Sequence, residues 1–177
     1  MDGSEKIVLG SGKLYMAEYD ETAGIPEATV LEVDDNRLGD IQGGATLTYT
    51  PTFYDVSDDL GLAKKTFLTK EDVTLTSGIL TFNVATLNKL VETGTVEEDT
   101  ATNTRTLKIG GISKFTGKAY VIRFVQIDGT KVTIIGSSKT ALSLAYLPDK
   151  ETVINAEFIA SAQDADGTLV TISETTA

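Results

Sequence analysis

The stretch GGATLTYTPTFYDVSDDLGLAKKTFLTKEDVTLTSG, residues 43–78, decides how this chain is read. It opens with strict alternation. Ala45, Leu47 and Tyr49 fall on one side of an extended chain, and Thr46, Thr48, Thr50 and Thr52 on the other. A period of two marks a strand with one face buried. After Asp58-Asp59-Leu60-Gly61 the chain turns back through residues 64–69, and Val73 and Leu75 alternate again with Thr74 and Thr76. The pattern predicts one long hairpin, about residues 44–80. Its middle is irregular. Pro51 has no N–H to give a ladder and suits an edge or an unpaired arm. At Phe53-Tyr54 the alternation slips by one, which marks a bulge or the point where paired sheet becomes a projecting loop. Leu60, Leu62 and Phe67 lie near or beyond the tip. Apolar side chains there are costly unless a partner covers them.

Upstream, residues 13–19 (KLYMAEY) read as a first strand. Residues 21–27 contain Gly24 and Pro26 and read as a loop. Residues 29–33 read as a short strand before acidic Asp34-Asp35 and a turn near Asn36. Gly39, Gly43 and Gly44 suit a bulge or a change of direction. Downstream, residues 79–82 close the return strand. Asn83 then suits a helix N-cap, Val84, Leu87, Leu90 and Val91 follow at helical spacing, and Gly94 suits the C-terminal cap. Residues 97–104 (EEDTATNT) read as a polar loop. Strands are expected at 105–109, 119–127, 131–135, 142–147, 153–162 and 168–172. Asp128-Gly129 between two β runs is a strong hairpin signal, and Asp166-Gly167 reads the same way. The tail at 173–177 is small and polar and is expected to fray. No repeat or linker divides the chain, so residues 1–177 read as a single domain. The expected class is mainly β: a β-sandwich or small barrel with one flanking helix and a long projecting hairpin arm.

Composition supports this class and narrows the chemistry. Twenty-seven threonines, with many valines and isoleucines, favour pleated strands. Cysteine and histidine are both absent. That removes disulfides, thiolate nucleophiles, common zinc sites and imidazole acid–base chemistry. No apolar run approaches the roughly 20 residues that span a bilayer. The start, MDGSEK, lacks the basic-then-apolar order of a secretory signal. The net charge is −11. Residues 1–60 hold 13 acids against 3 bases, and the remainder 13 against 12. A surface so acidic does not bind nucleic acid through phosphates. It keeps the protein soluble, or it keeps passing DNA from sticking.

No motif assembles into a catalytic or metal site. Gly10-Ser11-Gly12-Lys13 shares part of a phosphate-binding loop, but Leu14 follows where Ser or Thr is needed, so it reads as a turn before a strand. Asp34-Asp35, Asp58-Asp59 and Asp164-Ala165-Asp166-Gly167 lack calcium-loop spacing and read as solvated turns. Without histidine a Ser-His-Asp triad is impossible, and no feature isolates one carboxylate pair among 26 acids. The expectation is a non-enzyme with no cofactor and no metal.

The segment LGDIQGGATLTYTPTFYDVSDDLGLAKKTFLTKEDVTLTSGILTFN, followed by TLNKL, resembles the major tail tube proteins of long-tailed bacteriophages and related prophages. RTLKIGG, KAYVIRFV and DKETVINAEFIASAQDADGTLV fit the same pattern, so the resemblance runs from about residue 13 to 172. Phe82 departs from it, standing where the pattern has tryptophan. The resemblance implies a β-sandwich with a flanking helix, forming sixfold rings that stack into a tube. It implies a conduit for double-stranded DNA that passes without specific binding, through a lumen whose acids repel phosphate. The hairpin arm would then reach a neighbouring ring, with Pro51, Phe53, Tyr54, Leu60, Leu62 and Phe67 as inter-subunit residues. Glu32, Asp34, Asp35 and Asp40 are the lumen candidates, with an acidic outer surface as the alternative for each. Implied partners are further copies of the chain and the tail tip, tape measure and tail terminator proteins, with no membrane. The implied location is the virion tail, assembled in the host bacterial cytoplasm. Two other readings stand beside this one. One is the inner tube of a contractile tail or phage-derived bacteriocin, and the other an extracellular β-sandwich module for glycans or other ligands. With 7% aromatic residues and no tryptophan, the second has little to build a sugar platform from.

Overall fold

The computed structural model describes residues 11–174. Gly10 and residues 175–177, which carry part of the expected turn and tail, lie outside the described residues. The fold is mainly β. Nine strands run β1 (Gly12–Glu18), β2 (Ile41–Ser57), β3 (Lys64–Ile79), β4 (Gly94–Asp99), β5 (Thr104–Ile109), β6 (Tyr120–Gln126), β7 (Lys131–Ser138), β8 (Ile154–Ser161) and β9 (Val170–Ser173). Two helices, α1 (Ala28–Leu31) and α2 (Val84–Leu90), interrupt them. Seven strands form one antiparallel sheet in the order β1-β6-β7-β8-β3-β2, with β9 also on β7, and β4 and β5 form a separate hairpin.

The large sheet curls on itself. Arg37, just before β2, bridges Tyr15 of β1, and the Leu38 N–H donates to the Leu14 carbonyl at 2.9 Å. One interior therefore collects Leu14 and Met16, Ile122 and Phe124, Ile134, Ile154 and Phe158, Val73, Leu75 and Ile79, with Ile41, Ala45 and Leu47 of β2 packed against them. Burial of each such side chain stabilises the fold by about 1.5–3 kcal/mol. Helix α2 closes one end by inserting Leu90. Its start follows the sequence: Asn83 accepts the Thr86 N–H at 2.9 Å. Its end is pinned by Ser138, whose hydroxyl donates to the Leu90 carbonyl at 2.8 Å. Phe82, half-buried, packs on the same core.

Several sequence expectations need correction. Residues 29–33 are not a strand. Ala28–Leu31 forms one helical turn whose open carbonyls, on Val30 and Leu31, accept from the Asn36 side-chain amide. Gly94 does not cap α2; Val91 does, and Gly94 starts β4. Residues 97–99 belong to that strand, held to β5 by Glu97–Lys108 and Glu98–Arg105 pairs at 2.7 Å. Residues 142–147 stay outside the ladders. Leu142 and Leu144 pack on the core, but both sides of β8 are already taken by β3 and β7. Asp166-Gly167 does not join two paired strands. β8 and β9 both pair with β7, Ser161 opposite Ile135 and Val170 opposite Ile134, so residues 162–169 loop out of one interrupted edge. Gln163 stitches that loop, its amide donating to the Thr133 and Leu169 carbonyls.

Strand direction gives the molecule two ends. At one, β3 and β2 project beyond Thr74, and β6 passes through Asp128-Gly129 into β7. At the other lie the far ends of β3 and β1, where α2 departs, and residues 110–119, which lead into β6 at Tyr120 opposite Glu18. Within the sheet, a Cβ on Gly136 would stand 1.9 Å from the Ile159 carbonyl oxygen. Gly136→Ala is expected to cost about 1–3 kcal/mol, read as a lower urea midpoint with unchanged slope.

Candidate functional site

The long hairpin forms as its alternation predicts. β2 and β3 pair from Ile41 opposite Ile79 to Ser57 opposite Lys64. On its other side β3 pairs with β8 only from Ile79 to Thr74. Burial changes at the same place: Val73, Leu75, Ser77 and Ile79 are buried, and residues 64–71 are exposed. The outer part of the hairpin is therefore a two-stranded ribbon standing off the body. Its eight exposed residues of β3, Lys64–Glu71, span roughly 25 Å at the usual strand rise.

Two bulges shape it. One falls between Gln42 and Ala45, where Gly43 and Gly44 both have positive φ, 79° and 73°. The other falls at Thr52/Phe53, where the return strand carries an extra residue, Thr69. This is the slip visible in the sequence at Phe53-Tyr54. It falls where the chemistry of the ribbon changes. Below the bulge the outer face is threonine, Thr46, Thr48, Thr50 and Thr52. Above it Phe53 lies opposite Leu68 and Tyr54 opposite Phe67, so successive pairs put apolar groups on both faces of the ribbon. Lys65 stands 4.7 Å over the Phe67 ring. Asp55 accepts from the Thr66 hydroxyl and pairs with Lys64 at 3.2 Å, which together hold its carboxyl below the usual range. At the tip Asp58 accepts the Ala63 N–H at 2.9 Å, closing the turn. Leu60 and Leu62 remain 79% and 83% exposed. Of the six sequence candidates, Pro51 pairs opposite Glu71 at the base of the ribbon and is half-buried. Phe53, Tyr54, Leu60, Leu62 and Phe67 are all exposed on the arm. Val56 and Leu68 extend the same apolar surface and were missed, although each continues the alternation.

The acidic candidates sit on the connection from β1 to β2. Glu32 is not an open charge. Its carboxylate accepts from Lys131 at 2.6 Å and Arg123 at 3.2 Å, with its side chain 18% exposed. Asp40 pairs with Arg37. Asp34 and Asp35 are exposed and make no ion pair among the described residues. Lys89 of α2 donates to the Asp35 carbonyl at 2.7 Å, tying this connection to the helix, and partial burial lowers the lysine pKa. The sequence placed four acids together without revealing that one belongs to a half-buried ion cluster, because both of its partners lie about ninety residues away.

No cluster of three or more metal-ligating side chains occurs among the described residues, and no helix there is long and apolar enough to cross a membrane. No protein-family model matches the chain, and no curated protein matches it.

Removing the Glu32 charge leaves Arg123 and Lys131 half-buried against each other. Glu32→Gln is expected to lower the stability of the free subunit by about 1–3 kcal/mol in chemical denaturation. Asp34→Asn and Asp35→Asn, both at exposed positions, are expected to stay within about 0.5 kcal/mol of the parent.

Proposed function

We propose that this chain is the subunit of a bacteriophage tail tube, a structural protein that forms sixfold rings stacked into a conduit for the viral genome. The observation that carries the reading is the ribbon outward of Pro51 and Glu71, with apolar groups on both faces and left exposed among the described residues. A soluble monomer gains nothing from such a surface and risks edge-to-edge aggregation. A subunit that inserts it into a neighbour gains burial, and a closed ring removes the open strand edges. The resemblance of residues 38–83 to tail tube proteins supplies the kind of assembly. The charge supports the cargo: a chain of −11 repels phosphate, so DNA slides through without binding. Asp34 and Asp35 make no ion pair among the described residues and are the stronger lumen candidates. Asp40 is half-neutralised by Arg37, and Glu32 serves the subunit's own stability.

Electron microscopy of the concentrated protein, alone and on isolated tail tips, tests this. Hollow tubes are expected, appearing at lower protein concentration when salt screens the net charge. A chain that stays monomeric under both conditions overturns the reading. Replacing residues 55–65 with a two-residue turn is expected to leave a folded monomer, with the parent's far-UV spectrum, that forms no tubes. Tubes from the shortened chain would remove the arm from the assembly mechanism.

A further inference from the structure

Two exposed surface features of the chain match each other. The first is the arm tip, where Asp58 and Asp59 flank the exposed Leu60 and Leu62. The second is the connection at residues 110–118 before β6. Gly110, Gly111 and Gly117, all with positive φ, shape it around a single 3-10 turn, Ile112–Lys114. Ile112 is 94% exposed, more than any other large apolar side chain described, and Phe115 beside it is 54% exposed.

Charge separates the two. From residue 100 to 127 the chain has five cations and no carboxylate, although the whole chain is strongly acidic. Four of those cations are engaged by acids from elsewhere: Arg105 by Glu98, Lys108 by Glu97, Lys118 by Glu18 and Arg123 by Glu32. Lys114 makes no ion pair among the described residues, and it sits between Ile112 and Phe115. At the arm tip Asp59 is likewise unpaired among the described residues. Each feature thus offers exposed apolar groups and a charge with no ion pair among the described residues, of opposite sign.

Their placement prevents them from meeting within one chain. The arm extends from one end of the sheet, and residues 110–119 enter β6 at the opposite end. A contact joining opposite ends of identical molecules is head-to-tail. Such contacts propagate along a line rather than closing on a pair.

We infer that the arm tip of one copy, residues 58–62, docks on residues 110–118 of another copy, Leu60 and Leu62 covering Ile112 and Phe115 while Asp59 faces Lys114. The inference rests on the tube reading and names the surface that receives the arm between successive rings.

The chain has no cysteine, so introduced pairs report without background. Tubes of Leu60→Cys/Ile112→Cys, and of Leu62→Cys/Ile112→Cys, are oxidised and run on non-reducing gels. A ladder of covalent multimers is expected from at least one pair, since bridging needs Cα atoms within about 7 Å. Leu60→Cys/Ile127→Cys joins two exposed sites at the same end of the molecule and is expected to give no ladder. In parallel, Asp59→Lys and Lys114→Glu are each expected to raise the protein concentration needed for tube growth about tenfold, and the double variant to return it to within about threefold of the parent. Tubes without a ladder from either 112 pair, a ladder from the 127 pair, or no recovery in the double variant would overturn the docking and leave the tube reading standing. Absence of any tube from the parent chain, alone and on tail tips, overturns both.

Discussion

Everything distinctive about this molecule depends on how far β3 is paired on its two sides. With β2 it is paired along its whole length, and with β8 only from Ile79 to Thr74. Where both neighbours are present, Leu75 and Ile79 point into a shared core. Where β8 ends, the same backbone continues with one neighbour and no core. A single hydrogen-bonded ladder therefore belongs to the body at one end and to the surface at the other. The long strands need no special device to project, because the sheet simply stops on one side.

Adjacent apolar residues on both strands give the projecting part its character, and the bulge at Thr52/Phe53 sets how they pair. A plain alternation carried outward would keep threonine on one face and apolar groups on the other, a surface suited to covering one side. Here Phe53-Tyr54 and Phe67-Leu68 are neighbours in sequence and so point to opposite faces, and the extra residue Thr69 sets the register in which Phe53 meets Leu68 and Tyr54 meets Phe67. A ribbon apolar on both sides is suited to insertion between elements rather than lying upon one.

Legibility in the sequence followed the range of the forces concerned. The hairpin, its slip at Phe53-Tyr54, the Asn83 cap and the Asp128-Gly129 turn were all readable, because each depends on residues close together in the chain. Residues 29–33 misled because their β-branched residues favour strand, while the deciding partner was a local one, the Asn36 amide closing a helical turn. Residues 142–147 misled for a non-local reason: their pattern is that of a strand, yet β8 already has β3 on one side and β7 on the other. The interrupted edge at 162–169 and the Glu32 cluster were beyond any local reading, since β7, Arg123 and Lys131 become neighbours only once the sheet is formed.

The change from three strands to two at Thr74 also grades the molecule's resistance to opening. A two-stranded ribbon is marginally stable by itself, whereas the body must lose its whole core to open. Backbone amides of β3 should therefore exchange with solvent more readily step by step from Leu75 toward Lys64, within one continuous strand. The free subunit carries a firm scaffold and a compliant extension on the same backbone. A compliant extension can adjust its twist to whatever receives it, and any surface that grips it converts local fraying into order at the moment of contact.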